Sequence, residues 1–369
     1  MSNKDFYMRH FLFAALASLI LVPTAQAADL SATVLTADKP IANGFFGLSV
    51  GISGTTAIIA GANTDKSVYL FDTITGKQTG KLTNKEITAN DSYGIPVGIS
   101  GTIAIVGASG NDHGAAYLFD TTTGKQTVKL TPTDSVKGDG FGLSVSISGT
   151  TAIVGAPLSA NGAAYLFDAT TGRQTAKLTA VDPNNGGTLG FFGGEVRISG
   201  TTAIIMSGDA IYLFDTVTGK QTAKLTGKDT AKDDLFGSSV SISGTSAVVG
   251  GVEKKHGVAY LYDTITGKQV AKVTAETSSV PDSLSSKVTI SGTTVAITTF
   301  GPTTQNGAVY LFDTLSGEQV GTFTDIDALK DGAYGGSVAM SGSTVLIGAK
   351  NSNTNSLVKS GAVYLYHRQ

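Results

Sequence analysis

The chain has 369 residues, with 26 Lys and Arg against 28 Asp and Glu, a net charge of −2, and only 15% of its residues charged. No basic block occurs, which excludes nucleic acid as an expected partner, because phosphate binding needs clustered Lys and Arg. The absence of Cys excludes disulfides and a lipidated N-terminal Cys, and 47 Gly among many Thr and Ser suit short strands joined by tight turns.

Residues 1–27 read as an export signal. Lys4 and Arg9 make a positive start, Phe11 to Val22 is an apolar run of 12 residues, and Ala25-Gln26-Ala27 is a small-x-small cleavage site. A run of that length is too short to span a bilayer as a helix. No second hydrophobic stretch follows, so no membrane span is expected. Residues 28–369 are expected to form one domain, exported to the periplasm or secreted by a bacterium, and monomeric.

From there one unit recurs. Its mark is an aromatic strand: Tyr69-Leu70-Phe71-Asp72, then the segments beginning at Tyr117, Tyr165, Tyr212, Tyr260 and Tyr310, and last Tyr364-Leu365-Tyr366. Successive tyrosines lie 48, 48, 47, 48, 50 and 54 residues apart. A period of this size belongs to solenoids and propellers, whose units bury their faces against one another.

The third unit shows the pattern. Phe141 to Ser148 alternates and forms strand A; Gly149-Thr150 turns into an apolar strand B, Ala152 to Ala156. Asn161-Gly162 reads as a type I′ turn, with positive φ at both residues. Ala163 to Phe167 is strand C, Asp168 to Gly172 a second turn, and Arg173 to Thr179 strand D. Four antiparallel strands, seven times over, predict an all-β, seven-bladed β-propeller. The seventh unit ends after strand C, while Leu30 to Thr36 matches an ordinary strand D. The N-terminal strand is therefore expected to complete the last blade and close the ring.

The units resemble FG-GAP repeats, the propeller repeats of integrin α chains and of many exported bacterial proteins. Phe46-Gly47, Phe141-Gly142, Phe192-Gly193 and Phe236-Gly237 carry the first element, with Tyr93-Gly94 and Tyr334-Gly335 as variants. Gly155-Ala156-Pro157 carries the second in full, and Gly61-Ala62, Gly107-Ala108 and Gly348-Ala349 in part. The resemblance covers residues 30–369 and implies a propeller; it implies no activity, because one fold hosts many functions. It would also imply a calcium loop between strands A and B. Here that place holds Ser53-Gly54-Thr55, Ser100-Gly101-Thr102 and their equivalents, which cannot supply six to eight oxygen ligands. No metal or other cofactor is expected.

Several residue sets invite a functional reading. Asp72, Asp120, Asp168, Asp215, Asp263 and Asp313 recur at one turn, where Asp accepts backbone N–H bonds and Gly ends the turn. His113 and His256 precede the Gly of a B–C turn and read as positive-φ turn residues. Lys77, Lys125, Arg173, Lys220 and Lys268, with Lys81, Lys129, Lys177, Lys224 and Lys272, lie on strand D, where Lys blunts an open sheet edge. A basic belt for anionic polysaccharide is the alternative.

Topology places the uniform A–B and C–D turns on one face. The variable loops lie on the other: 84–93, 180–191 and 275–286 between D and A, and 350–360 between B and C. Binding residues favour variable loops on a rigid scaffold. The candidates are Asp91, Asp139, Asp233, Asp234 and Asp331, just ahead of strand A. The expected function is a non-enzymatic exported binding or scaffold propeller, docking a protein or glycan through that face in adhesion or envelope organisation. The alternative is a polysaccharide hydrolase or lyase with loop carboxylates about 5–10 Å apart. Mass spectrometry of the exported protein should give Ala28 as first residue; a stable exported product retaining Met1 would refute the signal.

Overall fold

Each Tyr-Leu-Phe-Asp segment forms the third strand of a four-stranded antiparallel sheet, and seven such sheets make up the computed structural model. It describes residues 32–368 except 63–66, 85, 87–91, 111–112, 160, 182–190, 209, 228–234, 255, 276–284, 301–306, 325–332 and 355. The signal segment 1–27, with Leu30 and Ser31, therefore lies outside the described residues. No helix among them is long and apolar enough to cross a membrane.

In blade 3, strand A is Ser144–Ser148, B is Thr151–Ala156, C is Ala163–Asp168 and D is Gln174–Leu178, paired in that order. Register slips between Leu166 and Phe167 where C leaves for the turn, and between the equivalent residues of five other blades. The A strands of neighbouring blades touch around the ring, so A is innermost and D outermost.

Alternation along strand C sends side chains to two different neighbours. Tyr165 and Phe167 pack with Ile105, Leu118 and Leu130 of blade 2, while Ala164 and Leu166 pack with Phe192, Val196 and Phe214 of blade 4. Both faces of each blade are thus core, as the apolar B and C strands imply.

The Phe-Gly element works at the same interfaces. Phe141 lies edge-on to Tyr165 and Phe167 of its own blade, at 5.7 and 5.9 Å between ring centres. Gly142 follows at φ +91°, and its N–H donates to Gly155 O at 3.0 Å. Its own carbonyl faces the preceding blade: a Cβ on Gly107 would lie 2.2 Å from Gly142 O. Gly155 against Gly193 O, at 2.0 Å, and Gly348 against Gly47 O, at 2.2 Å, repeat the arrangement. The glycines of the two elements therefore meet backbone to backbone across the interface, where no side chain fits.

The ring closes as expected. Thr33–Leu35 pairs antiparallel with Ala362–His367, Val34 opposite Tyr364, as the outer strand of blade 7. A second seam joins the B–C loop of blade 7 to blade 1: Asn43, Phe45 and Phe46 N–H donate to Val358, Lys359 and Ser360 O at 2.9 to 3.0 Å.

The B–C turns correct the sequence reading. Asn161 is not at positive φ; Gly162 alone is, at +68°, and its N–H donates to Ser159 O at 2.8 Å. Likewise Gly114, not His113, takes φ +67°. His256 is no turn residue: strands B and C of blade 5 run on to Glu253 and His256, which pair, and Lys254 takes φ +47°. Gly bears positive φ without a Cβ clash, so it relieves its neighbour of the task.

Leu35, 1% exposed among Phe46, Ile59, Leu346 and Val363, anchors the closing strand. Leu35→Ala should cost about 2–5 kcal/mol in urea denaturation, and the half-exposed Val34→Ala about 0.5 kcal/mol or less. Deleting 30–36 should destabilise far more. Equal, small effects of all three would refute closure by this strand.

Candidate functional site

The uniform face spends its polar groups on itself. The Ser ending strand A accepts the N–H of the Gly in the next blade's A–B turn: Ser53 from Gly101, Ser100 from Gly149, Ser148 from Gly200, Ser199 from Gly244, Ser243 from Gly292 and Ser291 from Gly342, at 2.9 to 3.3 Å. The Ser-Gly-Thr turn is thus a blade-to-blade hook as well as a reversal. The A–B and C–D turns share this face, since Thr73 N–H donates to Thr55 O at 2.8 Å and Thr121 N–H to Thr102 O at 2.9 Å.

The recurrent Asp holds the C–D turn. Asp168 Oδ1 accepts Thr170 Oγ at 2.6 Å and the amides of Thr170 and Thr171 at 2.9 Å. Donors that favour the charged form lower the carboxyl pKa. Asp168 falls to about 2, with the Thr170 hydroxyl the largest cause, and Asp72, Asp120, Asp215, Asp263 and Asp313 also fall below the ordinary value. This face is uniform in shape but not wholly polar, for Ile74, Val217, Ile265 and Leu315 stand exposed on its turns.

The strand D lysines divide into two sets. Lys77, Lys125, Arg173, Lys220 and Lys268 are exposed. Lys81, Lys129, Lys177, Lys224 and Lys272 lie over the strand C tyrosines at 4.8 to 5.7 Å. Three of them also pair with an acid beyond strand D of the preceding blade: Lys81 with Asp38, Lys129 with Glu86, and Lys177 with Asp134 at 2.6 Å. The salt bridge lowers the Asp134 pKa. Gln78 and Gln174 add bonds to the same segments, accepting Asp38 and Thr133 N–H at 3.2 and 3.0 Å. Edge protection is therefore joined by cross-blade clamping, which the strand D pattern alone did not reveal.

On the opposite face the seven A strands begin around a cavity of about 290 Å³. The residue ahead of the strand A valine is Ser49, Pro96, Ser144, Glu195, Ser239, Lys287 and Ser337 in blades 1 to 7. The residue after it is Gly51, Gly98, Ser146, Arg197, Ser241, Thr289 and Ala339. Glu195, Arg197 and Lys287 break a small and mostly uncharged pattern, and all three line the cavity.

Their geometry follows from the repeat. Ser49 Oγ accepts Val97 N–H at 3.2 Å and Ser239 Oγ accepts Val288 N–H at 3.1 Å, each from the next blade. Glu195 Oε2 takes that role for Val240 N–H at 3.3 Å, and its Oε1 accepts Arg197 Nη2 at 2.7 Å. Arg197 Nη1 donates to Val196 O at 2.8 Å. Lys287 can only donate, so it cannot copy the serine. Two cations against one anion leave the described lining of the cavity with a charge of +1.

Among the acids expected at this mouth, Asp139 is described. It is buried, and its Oδ2 accepts Val136 N–H at 2.7 Å while its carbonyl accepts Leu158 N–H at 3.0 Å, so it ties its own loop together. Asp91, Asp233, Asp234 and Asp331 lie outside the described residues, as do the loop segments 87–91, 182–190 and 276–284. The three charged channel residues were missed by searching loops for carboxylates. Aligning strand A across the seven units would have found them.

The family described as FG-GAP repeat matches the chain at residues 77–119, 125–167, 220–262 and 318–366. Each match starts at the outer strand of one blade, or at the turn just before it, and ends in strand C of the next, spanning one interface. No curated protein matches the chain.

The turn carboxylates set an acid limit. A lowered folded pKa gives stability that is present above the unfolded value near 4 and lost as pH falls towards 2. Asp168→Ala should therefore melt below the parent protein at pH 7, with the gap narrowing between about pH 4 and pH 2. A gap unchanged by acid would remove the carboxylate from the turn's energetics.

Proposed function

This chain is a seven-bladed propeller with FG-GAP repeats, and we propose that it is an exported binding and scaffold module. It docks a protein or glycan through the face formed by its D–A and B–C loops, in adhesion or envelope organisation. The observation that carries this reading is the convergence, on that face, of the channel mouth and the three charged departures from the repeat. Rigid, self-satisfied turns on the other face hold the ring, and specificity needs surfaces that differ between blades. Exposed Leu143 lines the cavity and adds apolar contact area. Asp91, Asp233, Asp234 and Asp331 are proposed as rim contacts, with Asp139 holding its loop in shape.

Catalysis on polysaccharide would ask for two working carboxylates. Glu195 is committed to Arg197 and to the Val240 N–H, which supports binding over hydrolysis. The N-terminal signal supports a periplasmic or secreted site of action.

A screen of the purified protein against glycans and envelope proteins identifies the ligand, and two multiple variants locate it. One neutralises Asp91, Asp233, Asp234 and Asp331; the other replaces Ile74, Val217, Ile265 and Leu315 by Ser. Binding should fall about tenfold or more in the first, a change of about 1.4 kcal/mol, and hold in the second. The reverse result would place the site on the other face.

A further inference from the structure

We propose that the channel cavity takes a single acidic sugar unit, a hexuronate, whose carboxylate is held between Lys287 and Arg197. This rests on the loop-face reading above and names a ligand chemistry for its centre. The first argument is charge. Innermost strands of six-fold or seven-fold repeats need no charge to fold, and five of these blades have none at the two positions discussed. Blades 4 and 6 add two cations and one anion, and the anion is spent on Arg197. Burying a charge without a partner is costly, so a half-buried Lys287 that lines the channel, with no carboxylate partner among the described residues, invites an anion. Arg197 has five N–H donors, two of them used within its own segment, and keeps others for a carboxylate.

The second argument is hydroxyl polarity. Ser49 and Ser239 use their oxygens to accept the next blade's N–H, which leaves their protons to donate. Ser144 and Ser337 instead donate to Gly193 O and Gly47 O at 2.7 Å, so their hydroxyls serve the blade interfaces. Hydroxyl donors beside two cations fit a hydroxylated anion better than a simple one. Pro96, Leu143 and Val288 supply apolar wall for the C–H face of a sugar ring. The third argument is size. At about 290 Å³ the cavity is at the lower end of small-molecule sites, near 300 Å³. It therefore suits one residue of a chain, with the rest of a glycan leaving over the loops.

The test is calorimetric titration of the purified protein with glucuronate, with glucose as the neutral counterpart and N-acetylglutamate as an acidic amino acid. Glucuronate should bind, at least about tenfold tighter than glucose, and weaken with added salt. Lys287→Ser restores the residue that four other blades carry and should fold normally by melting, yet lose about tenfold in glucuronate affinity. The pair Glu195→Ser with Arg197→Ser restores the repeat in blade 4 and should lose a similar factor. Equal binding of glucose and glucuronate, no binding of either, or full affinity in Lys287→Ser would overturn the proposal. Binding of N-acetylglutamate in place of glucuronate would overturn it in favour of an acidic peptide. These titrations read the channel alone: if they fail while the rim variant still loses its partner, the loop-face reading stands without this one.

Discussion

Neither face of a blade can leave water until a neighbour covers it, and this constraint shapes the whole chain. Tyr165 and Phe167 need blade 2, and Leu166 needs blade 4, so stability accrues at interfaces rather than within units. An open array would leave two apolar sheet faces and a blade without its outer strand. Closure by Thr33–Leu35 and by the seam at residues 43–46 converts the array into a ring in which all seven interfaces are alike in kind.

The spacing of the blades follows from the glycine contact. Gly107 against Gly142, and Gly155 against Gly193, let two backbones approach closer than any Cβ allows. The Phe ahead of the second glycine then reaches back over the aromatic strand of its own blade, and the preceding blade's serine, accepting the Gly149 N–H, locks the inner edge. The family match spans the same unit, from outer strand to the next blade's third strand, because that unit contains one complete interface. Aromatic packing, glycine contact and serine hook all act across the same plane.

The two faces consequently do different work. The turn face is held by carboxylates and hydroxyls that serve neighbouring amides, and its residues repeat because the contact repeats. Among the described residues the loop face carries that duty at fewer points: the clamps at Asp38, Glu86 and Asp134, and the seam that 350–360 makes with blade 1. Variation accumulates where no interface depends on it, and the charged trio of the channel stands at the boundary between the two regimes.

Blade number, strand order, ring closure and the structural role of the turn Asp residues were all legible in the amino-acid sequence. Each depends on a local, repeated pattern: alternation along strands, Gly at turns, an unfinished seventh unit and a matching N-terminal strand. Tertiary structure alone decided three things. It moved positive φ from Asn161 and His113 to the adjacent glycines, because turn geometry depends on how far strands B and C run before they part. It turned strand D lysines into clamps on the preceding blade, because Asp38 and Lys81 meet only across an interface. It gathered Glu195, Arg197 and Lys287, 92 residues apart from first to last, into one cavity, because strands two blades apart face one channel only when the blades curve into a ring.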